Sequence, residues 1–434
     1  MDGSGAMRPL LALAEGVEVT PRGLRRDGAE TPVPDAMTVA ALAAGVPVPF
    51  SREEGPGPAV GRGLLDLLHR RGLLRWRVEG VAEAAPMPPS PGLPDLLPRD
   101  SPRGAVPLSR FALLRRDERG WLLESGRNGW QVRLTDRGVA GLGSLEPLGE
   151  QAAAFVTLLA AAGMLADRDG EPAALAWEPH DRYFASRSRG TLAAAASYRL
   201  AKVSPPGPAP RDDDGAGTRV ALPAPPGPGP SEPTLWSASE ARRSIREYAP
   251  VPVPLEALGA LLWRTLRVVR RLPRDAGDPI SYERVLRPVS SGGAMHATDL
   301  WLICHDVAGL APGVFRHDPY DHALVEVPLD DARRRLALRS GSSAAQRPPV
   351  VGLLTVRHAR AAWKYSGIAY SLELKDVGVI LHALNLTAGA VGLGMCAWGA
   401  GPTALIARLL GIDPEVDSPV GEFALGVPAA PREG

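Results

Sequence analysis

Apolar positions recur at helical spacing in several stretches of the chain. Leu64, Leu65, Leu67 and Leu68 form one stripe, Ala154, Phe155, Leu158 and Leu159 a second, and Leu255, Leu258, Leu261 and Leu262 a third. A longer stripe through Leu372, Val377, Ile380, Leu381, Leu384 and Val391 predicts a long buried helix over 369–394. Continuous apolar runs at 298–305 and 348–357 predict buried strands. Residues 110–136 alternate like a small meander, with turns at Glu118–Gly120 and Arg127–Gly129. A short strand from Met395, a helix over 402–411 and an apolar stretch over 422–428 complete the C-terminal part. There helices and strands mix without regular βα alternation, which predicts an α+β fold.

The pattern breaks in two places. Residues 204–235 are rich in Pro, Gly and acidic residues and lack apolar periodicity, so they cannot bury enough surface to offset their ordering entropy. They read as a semi-extended linker. A shorter Pro-rich stretch at 85–107 reads as an inner boundary or a loop lying over a surface. The expected organisation is a first unit over 1–100, a second over 101–203, the linker over 204–235 and a C-terminal domain over 236–434. In the first half, residues 61–80 and 150–172 each pair a helical run with Gly-Leu-Leu or Gly-Met-Leu and then a charged turn. A helix followed by a charged hairpin predicts two small winged-helix-like units, a shape that serves DNA binding or peptide docking.

Composition narrows the function classes. Lys+Arg (49) nearly balance Asp+Glu (48), and the net charge of +1 gives no global attraction to nucleic acid or to a membrane surface. Cys304 and Cys396 lie far apart and fit neither a disulfide framework nor a metal site. No apolar run reaches the length of a membrane span, and the N-terminus lacks the order of a signal peptide. The expectation is a cytoplasmic protein that takes no metal.

Chemistry concentrates in three places. In R-R-S-I-R-E-Y, Arg242, Arg243 and Arg246 surround Ser244 and offer forked donors suited to a phosphate monoester near a helix start. A solvated arginine face is the alternative. In P-V-S-S-G-G-A-M-H, Ser290, Ser291, Gly292 and Gly293 let backbone amides approach a flat polar ligand, unless the stretch is an ordinary turn into the following strand. Here His296 reads as a packed or exposed histidine rather than a base. The third place is Lys364–Tyr365. The chain holds three lysines, Lys202, Lys364 and Lys375, its other basic residues being arginine. Lysine can be tuned toward neutrality and arginine cannot. A free tyrosine has a pKa of about 10, and a neighbouring ammonium favours its phenolate. The alternative is a surface dipeptide in a loop.

Together, in this order and spacing, these pieces resemble the flavin-dependent nitroreductase superfamily, specifically its SagB/McbC-type peptide dehydrogenases. The resemblance runs through R-R-S-I-R-E-Y, S-S-G-G-A-M-H, K-Y-S-G-I-A-Y, D-V-G at 376–378 and L-G-M-C-A-W-G-A-G, and extends to 108–125 and 176–190. It implies a nitroreductase-like α+β domain, a homodimer and FMN at the subunit interface. The implied activity is oxidation of thiazolines and oxazolines to thiazoles and oxazoles in a ribosomally made precursor peptide, alongside cyclodehydratase partners. Arg242, Arg243, Ser244 and Arg246 would then hold the flavin phosphate and ribityl chain. Ser290, Ser291, Gly292 and Gly293 would line the flavin, Gly399 and Gly401 would close the site, and Lys364–Tyr365 would be the catalytic pair. The chain departs from the family in following Lys-Tyr with Ser366, Gly367 and Ile368, and in carrying Ser290 where proline is usual. A generic nitro or quinone reductase and a flavin-free scaffold are the competing readings. The first half is expected to recruit partner enzymes or a leader peptide.

Overall fold

The computed structural model describes residues 9–20, 23–26, 29–33, 36–44, 46–47, 62–71, 73–86, 105–127, 130–188, 217–227, 229, 232–275, 277, 281–339, 347–365 and 367–430. The chain divides into two compact units, Met1–Ala195 and Ala196–Gly434.

In the first unit the strands are β1 (Leu10–Leu13), β2 (Glu18–Thr20), β3 (Gly23–Arg26), β4 (Ala29–Pro32), β5 (Val46–Pro47), β6 (Leu74–Val78), β7 (Ala82–Pro86), β8 (Ala112–Asp117), β9 (Gly120–Ser125) and β10 (Trp130–Leu134). Strands β2, β3 and β4 form a small sheet, and the others join in one sheet of order β5-β1-β6-β7-β10-β9-β8. Strands from both sides of residue 100 therefore share a single sheet. Alternation explains β6: Leu74, Trp76 and Val78 face inward while Arg75 and Arg77 reach Glu83 and Glu79. Trp76, Leu65, Leu68, Phe155 and Leu158 share one core.

Helix Arg62–Arg70 followed by the β6–β7 hairpin has the helix–hairpin order expected at 61–80. The second echo differs. After helix Ala152–Ala161 the chain continues in helical turns at Ala166–Arg168, Pro172–Leu175 and Pro179–Ser188, and no hairpin follows among the described residues. Pro172 and Pro179 open those helices, where a missing N–H costs nothing. The meander expected over 110–136 is β8–β9–β10, which precedes these helices. The buried Glu124 carboxylate ties the last helix to the sheet: it accepts from Arg115 Nε, Gln131 Nε2 at 2.8 Å and Tyr183 Oη at 3.0 Å. Of the stretch read as an inner boundary, residues 87–104 lie outside the described residues.

The second unit holds β11 (Arg219–Ala221), β12 (Arg270–Leu272), β13 (Arg284–Leu286), β14 (Thr298–Cys304), β15 (Gly313–Asp318), β16 (Ala323–Glu326), β17 (Val350–Arg357), β18 (Gly394–Trp398) and β19 (Asp417–Gly426). Its main sheet has the order β11-β16-β15-β14-β17-β19-β18, with antiparallel neighbours throughout. Period-two alternation divides β14 between two cores. Leu300 and Leu302 join helix Leu255–Thr265 and the long helix Ala369–Ala390 on one face. Trp301 and Ile303 join Ala337, Ile406, Leu409 and Leu410 on the other. That two-sided burial is why β14 reads as an unbroken apolar run. The Pro/Gly-rich stretch 204–235 carries more than a linker requires. Arg219–Ala221 pair with Ala323–Val325 at the edge of the sheet, because the β16 backbone groups there need partners.

Among the described residues no helix is long and apolar enough to cross a membrane, and no cluster of His, Cys, Asp or Glu is poised to hold a metal. Both cysteines are free and buried.

Candidate functional site

The S-S-G-G turn folds back on the first half of the long helix. Ser291 Oγ donates to Asp376 Oδ2 at 2.6 Å, and the Gly292 N–H donates to both carboxylate oxygens at 3.1 Å. Ser291 Oγ also accepts the His296 N–H at 3.0 Å. Burial raises the Asp376 carboxyl above its ordinary value, and the bonds from Ser291 and Gly292 pull the other way. Gly293, Ala294 and His296 all have positive φ, at 64°, 54° and 46°. Left-handed backbone at two non-glycine residues costs on the order of 1–3 kcal/mol each. Hydrogen bonds on both sides hold the turn in place: Tyr282 Oη donates to the Gly293 carbonyl at 2.8 Å, and Arg360 donates to the Met295 carbonyl at 2.9 Å. Ser290 is exposed and takes no part in this bonding.

Lys364 and Tyr365 come to the same turn from the segment just before the long helix. Lys364 Nζ donates to Tyr282 Oη at 3.0 Å and lies 4.7 Å from the Tyr282 ring centroid and 5.4 Å from that of Tyr365. Tyr365 Oη closes over Gly293, where an added Cβ would stand 3.0 Å from it and 2.8 Å from Tyr282 Oη. A side chain at Gly293 would thus be strained by its φ and crowded by two phenols.

The arginine segment is held by a different element, strand β18. The preceding helix, Leu235–Ala241, is capped by Thr234, whose side chain accepts from the Ser237 N–H. Arg242, Arg243, Ser244 and Arg246 therefore follow a helix C-terminus in extended chain and do not sit at a helix start. Ile245 draws them out, since its N–H bonds to the Met395 carbonyl of β18 at 3.0 Å and its side chain packs over Gly394. Arg243, Ser244 and Arg246 are exposed and Arg242 is half-buried; among the described residues none of the three arginines pairs with a carboxylate. Strand β18 leads directly into Gly399 and Gly401. Gly399 faces open space, whereas a Cβ at Gly401 would collide with the Glu422 carboxylate. Burial raises the Glu422 carboxyl above its ordinary value.

The site residues thus gather in two groups: Ser291, Gly292 and Gly293 with Lys364 and Tyr365, and the arginine segment with the β18 end. Sequence reasoning missed Tyr282, Arg360 and Glu422, and left Asp376 without a role. Nothing local marks Tyr282, which stands 82 residues before its lysine.

His296 is buried in the strained turn, and burial, with Arg287 and Arg360 adding, lowers its pKa to about 3. His317 on β15 is lowered to about 3 by burial first and His322 next. An unfolded histidine titrates near 6.5, so between about pH 6.5 and 3 the unfolded chain binds protons that the native one refuses. Each of these groups therefore contributes stability above that window and loses it as pH falls, by up to about 1.4 kcal/mol per pH unit. His358, raised by the hydrogen bond it donates to Glu373, acts in the opposite sense. The expected result is an unfolding temperature that depends less on pH between 7 and 5 in His317→Gln than in the native chain. Equal slopes would mean His317 is protonated in the fold.

Residues 240–427 match the model described as the Nitroreductase family. A curated protein of Methanocaldococcus jannaschii named as a putative nitroreductase is 26% identical over 160 residues, covering 37% of this chain and 75% of that protein. A solved structure from Ralstonia eutropha with the same description is 21% identical, with a TM-score of 0.39, covering 49% of this chain and 90% of the other. The Escherichia coli microcin synthetase McbBCD complex, with truncated pro-MccB17 bound, is 17% identical over 54% of this chain and 88% of the other, at a TM-score of 0.35. The part of the chain that carries both groups of expected site residues, 240–427, is a nitroreductase-family domain.

Proposed function

We propose that the chain is an FMN-dependent azoline dehydrogenase that oxidises thiazoline or oxazoline rings in a ribosomally made peptide. The observation that carries this reading is the Lys364–Tyr365 pair held against the Gly293 turn, which sets a lysine and a phenol where a substrate proton could be taken. The residues present fit FMN. Three guanidiniums without carboxylate partners among the described residues, and the Ser244 hydroxyl, lie within five consecutive positions and suit a phosphate. Gly399 faces open space, and an added Cβ at Gly292 would meet only Leu372, at 3.6 Å, so a ligand can approach the backbone at both. Arg242, Arg243, Ser244 and Arg246 would hold the phosphate and ribityl chain, and Ser290, Ser291, Gly292, Gly293, Gly399 and Gly401 would line the rest.

Aromatising an azoline removes two hydrogens, one as a proton and one as a hydride. When bound, FMN supplies the hydride acceptor and passes the electrons on to dioxygen. The protein's share is the proton, taken from the ring carbon by the Lys364–Tyr365 pair. Asp376 and Arg360 fix the turn under it, so that pair and ring meet in one geometry. A second copy of the chain would cover Tyr370 and Leu374, exposed one turn apart on the long helix. The first unit, with its own core, would dock the leader peptide or a cyclodehydratase partner.

The test is the visible spectrum of the purified protein with its cofactor released and identified, followed by mass spectrometry of an azoline peptide. Bound FMN and a loss of two hydrogens per ring are expected. A colourless protein that FMN cannot reconstitute would sink the reading. Removing residues 1–200 is expected to impair peptide oxidation and leave the flavin bound; normal oxidation by the truncated chain would overturn the docking role.

A further inference from the structure

A lysine side chain has four rotatable bonds, and holding its ammonium in one place costs entropy that something nearby must offset. In this site that partner is Tyr282. Its oxygen accepts from Lys364 Nζ at 3.0 Å, and its own hydrogen goes to the Gly293 carbonyl at 2.8 Å. The two bonds complement each other. With the phenol hydrogen committed to Gly293, a lone pair is left for the ammonium, so the hydroxyl has one orientation. The ring is fixed as well, standing edge-on to Trp363 with centroids 5.3 Å apart at 79°. A continuous frame results: Asp376 on the long helix holds Ser291 and Gly292, Gly293 holds Tyr282, and Tyr282 holds Lys364.

We infer that Tyr282 is a positioning residue for Lys364, fixing its ammonium beside Tyr365 over the Gly292–Gly293 turn. Its importance for turnover rests on the azoline dehydrogenase reading; its grip on Lys364 does not. Tyr282 acts through the lysine and takes no proton from substrate. Tyr282→Phe is the informative change, because it keeps the ring, the Trp363 contact and the cation–π face while deleting the hydroxyl.

The experiment is acylation of the full-length protein with an N-hydroxysuccinimide acetate, read lysine by lysine by peptide mass spectrometry. Lys375 serves as the internal reference. In Tyr282→Phe, Lys364 is expected to acylate several-fold faster relative to Lys375, because the Tyr282 hydroxyl no longer holds its ammonium. An unchanged ratio overturns the inference. On an azoline peptide the same variant is expected to lose about tenfold in kcat at unchanged KM and flavin content, the scale of a hydrogen bond to a charged group. Loss in KM alone, with kcat intact, also overturns it. A native protein that oxidises no azoline peptide would defeat the functional reading, and the acylation ratio would still decide this one.

Discussion

Lys364→Ala is expected to lower turnover of an azoline peptide by about 10²-fold or more while leaving the flavin spectrum unchanged, and Tyr365→Phe to do the same. The size follows from the role. A group that moves a proton in the rate-determining step contributes about 10²–10⁴-fold, or roughly 3–5 kcal/mol of barrier. Flavin should stay because neither side chain belongs to the arginine segment, which is held to β18 through Ile245. Structure alone does not separate the pair, since both reach the Gly293 turn, so both variants are required. Measured kcat and KM with released flavin quantified make the test. If both variants lost flavin along with activity, the pair would be part of the cofactor site and not the proton acceptor. If both kept full turnover, the base would lie elsewhere.

Gly352→Val is expected to cost more than about 3 kcal/mol and to abolish the cooperative unfolding transition of the nitroreductase domain. Gly352 sits inside β17, paired with Leu302 of β14 and Phe423 of β19. Its missing side chain is the space the Phe423 ring occupies: an added Cβ would overlap three ring carbons. Phe423 is 1% exposed and has nowhere to retreat. Glycine weakens a strand interior, so its presence in a central strand marks this close approach. Calorimetry reads the effect, and Phe423→Leu combined with Gly352→Ala tests the cause. That double variant should be less destabilised than the sum of the single changes. Strict additivity would show that the clash is relieved by backbone movement rather than by the ring.

Much of the second unit was legible in the sequence because burial on both sheet faces writes itself as unbroken apolar runs. Strands β14 and β17 and the long helix stand close to where their patterns place them. The helix stops at Ala390, a few residues short of the predicted 394, because Val391–Gly392 turn the chain and Gly392 takes a φ of 79°. The arginine segment was misplaced on its helix for a different reason. Its conformation is set by a backbone bond from Ile245 to Met395, 150 residues on, which no local pattern encodes.

The sequence by itself determined the chemistry on offer: a lysine beside a tyrosine in a chain of three lysines, two glycines behind two serines, and three arginines around a serine. Side-chain chemistry and helical or strand periodicity are local properties, and they survive in one dimension. Only the tertiary structure decided which of these groups meet. It brought Lys364 and Tyr365 to Gly293, set the arginines along β18, added Tyr282 and Asp376 to the site, and joined strands from both sides of residue 100 in one sheet. The physical reason is that buried donors and acceptors must find partners wherever the packed chain places them, and those partners lie tens to more than a hundred residues away.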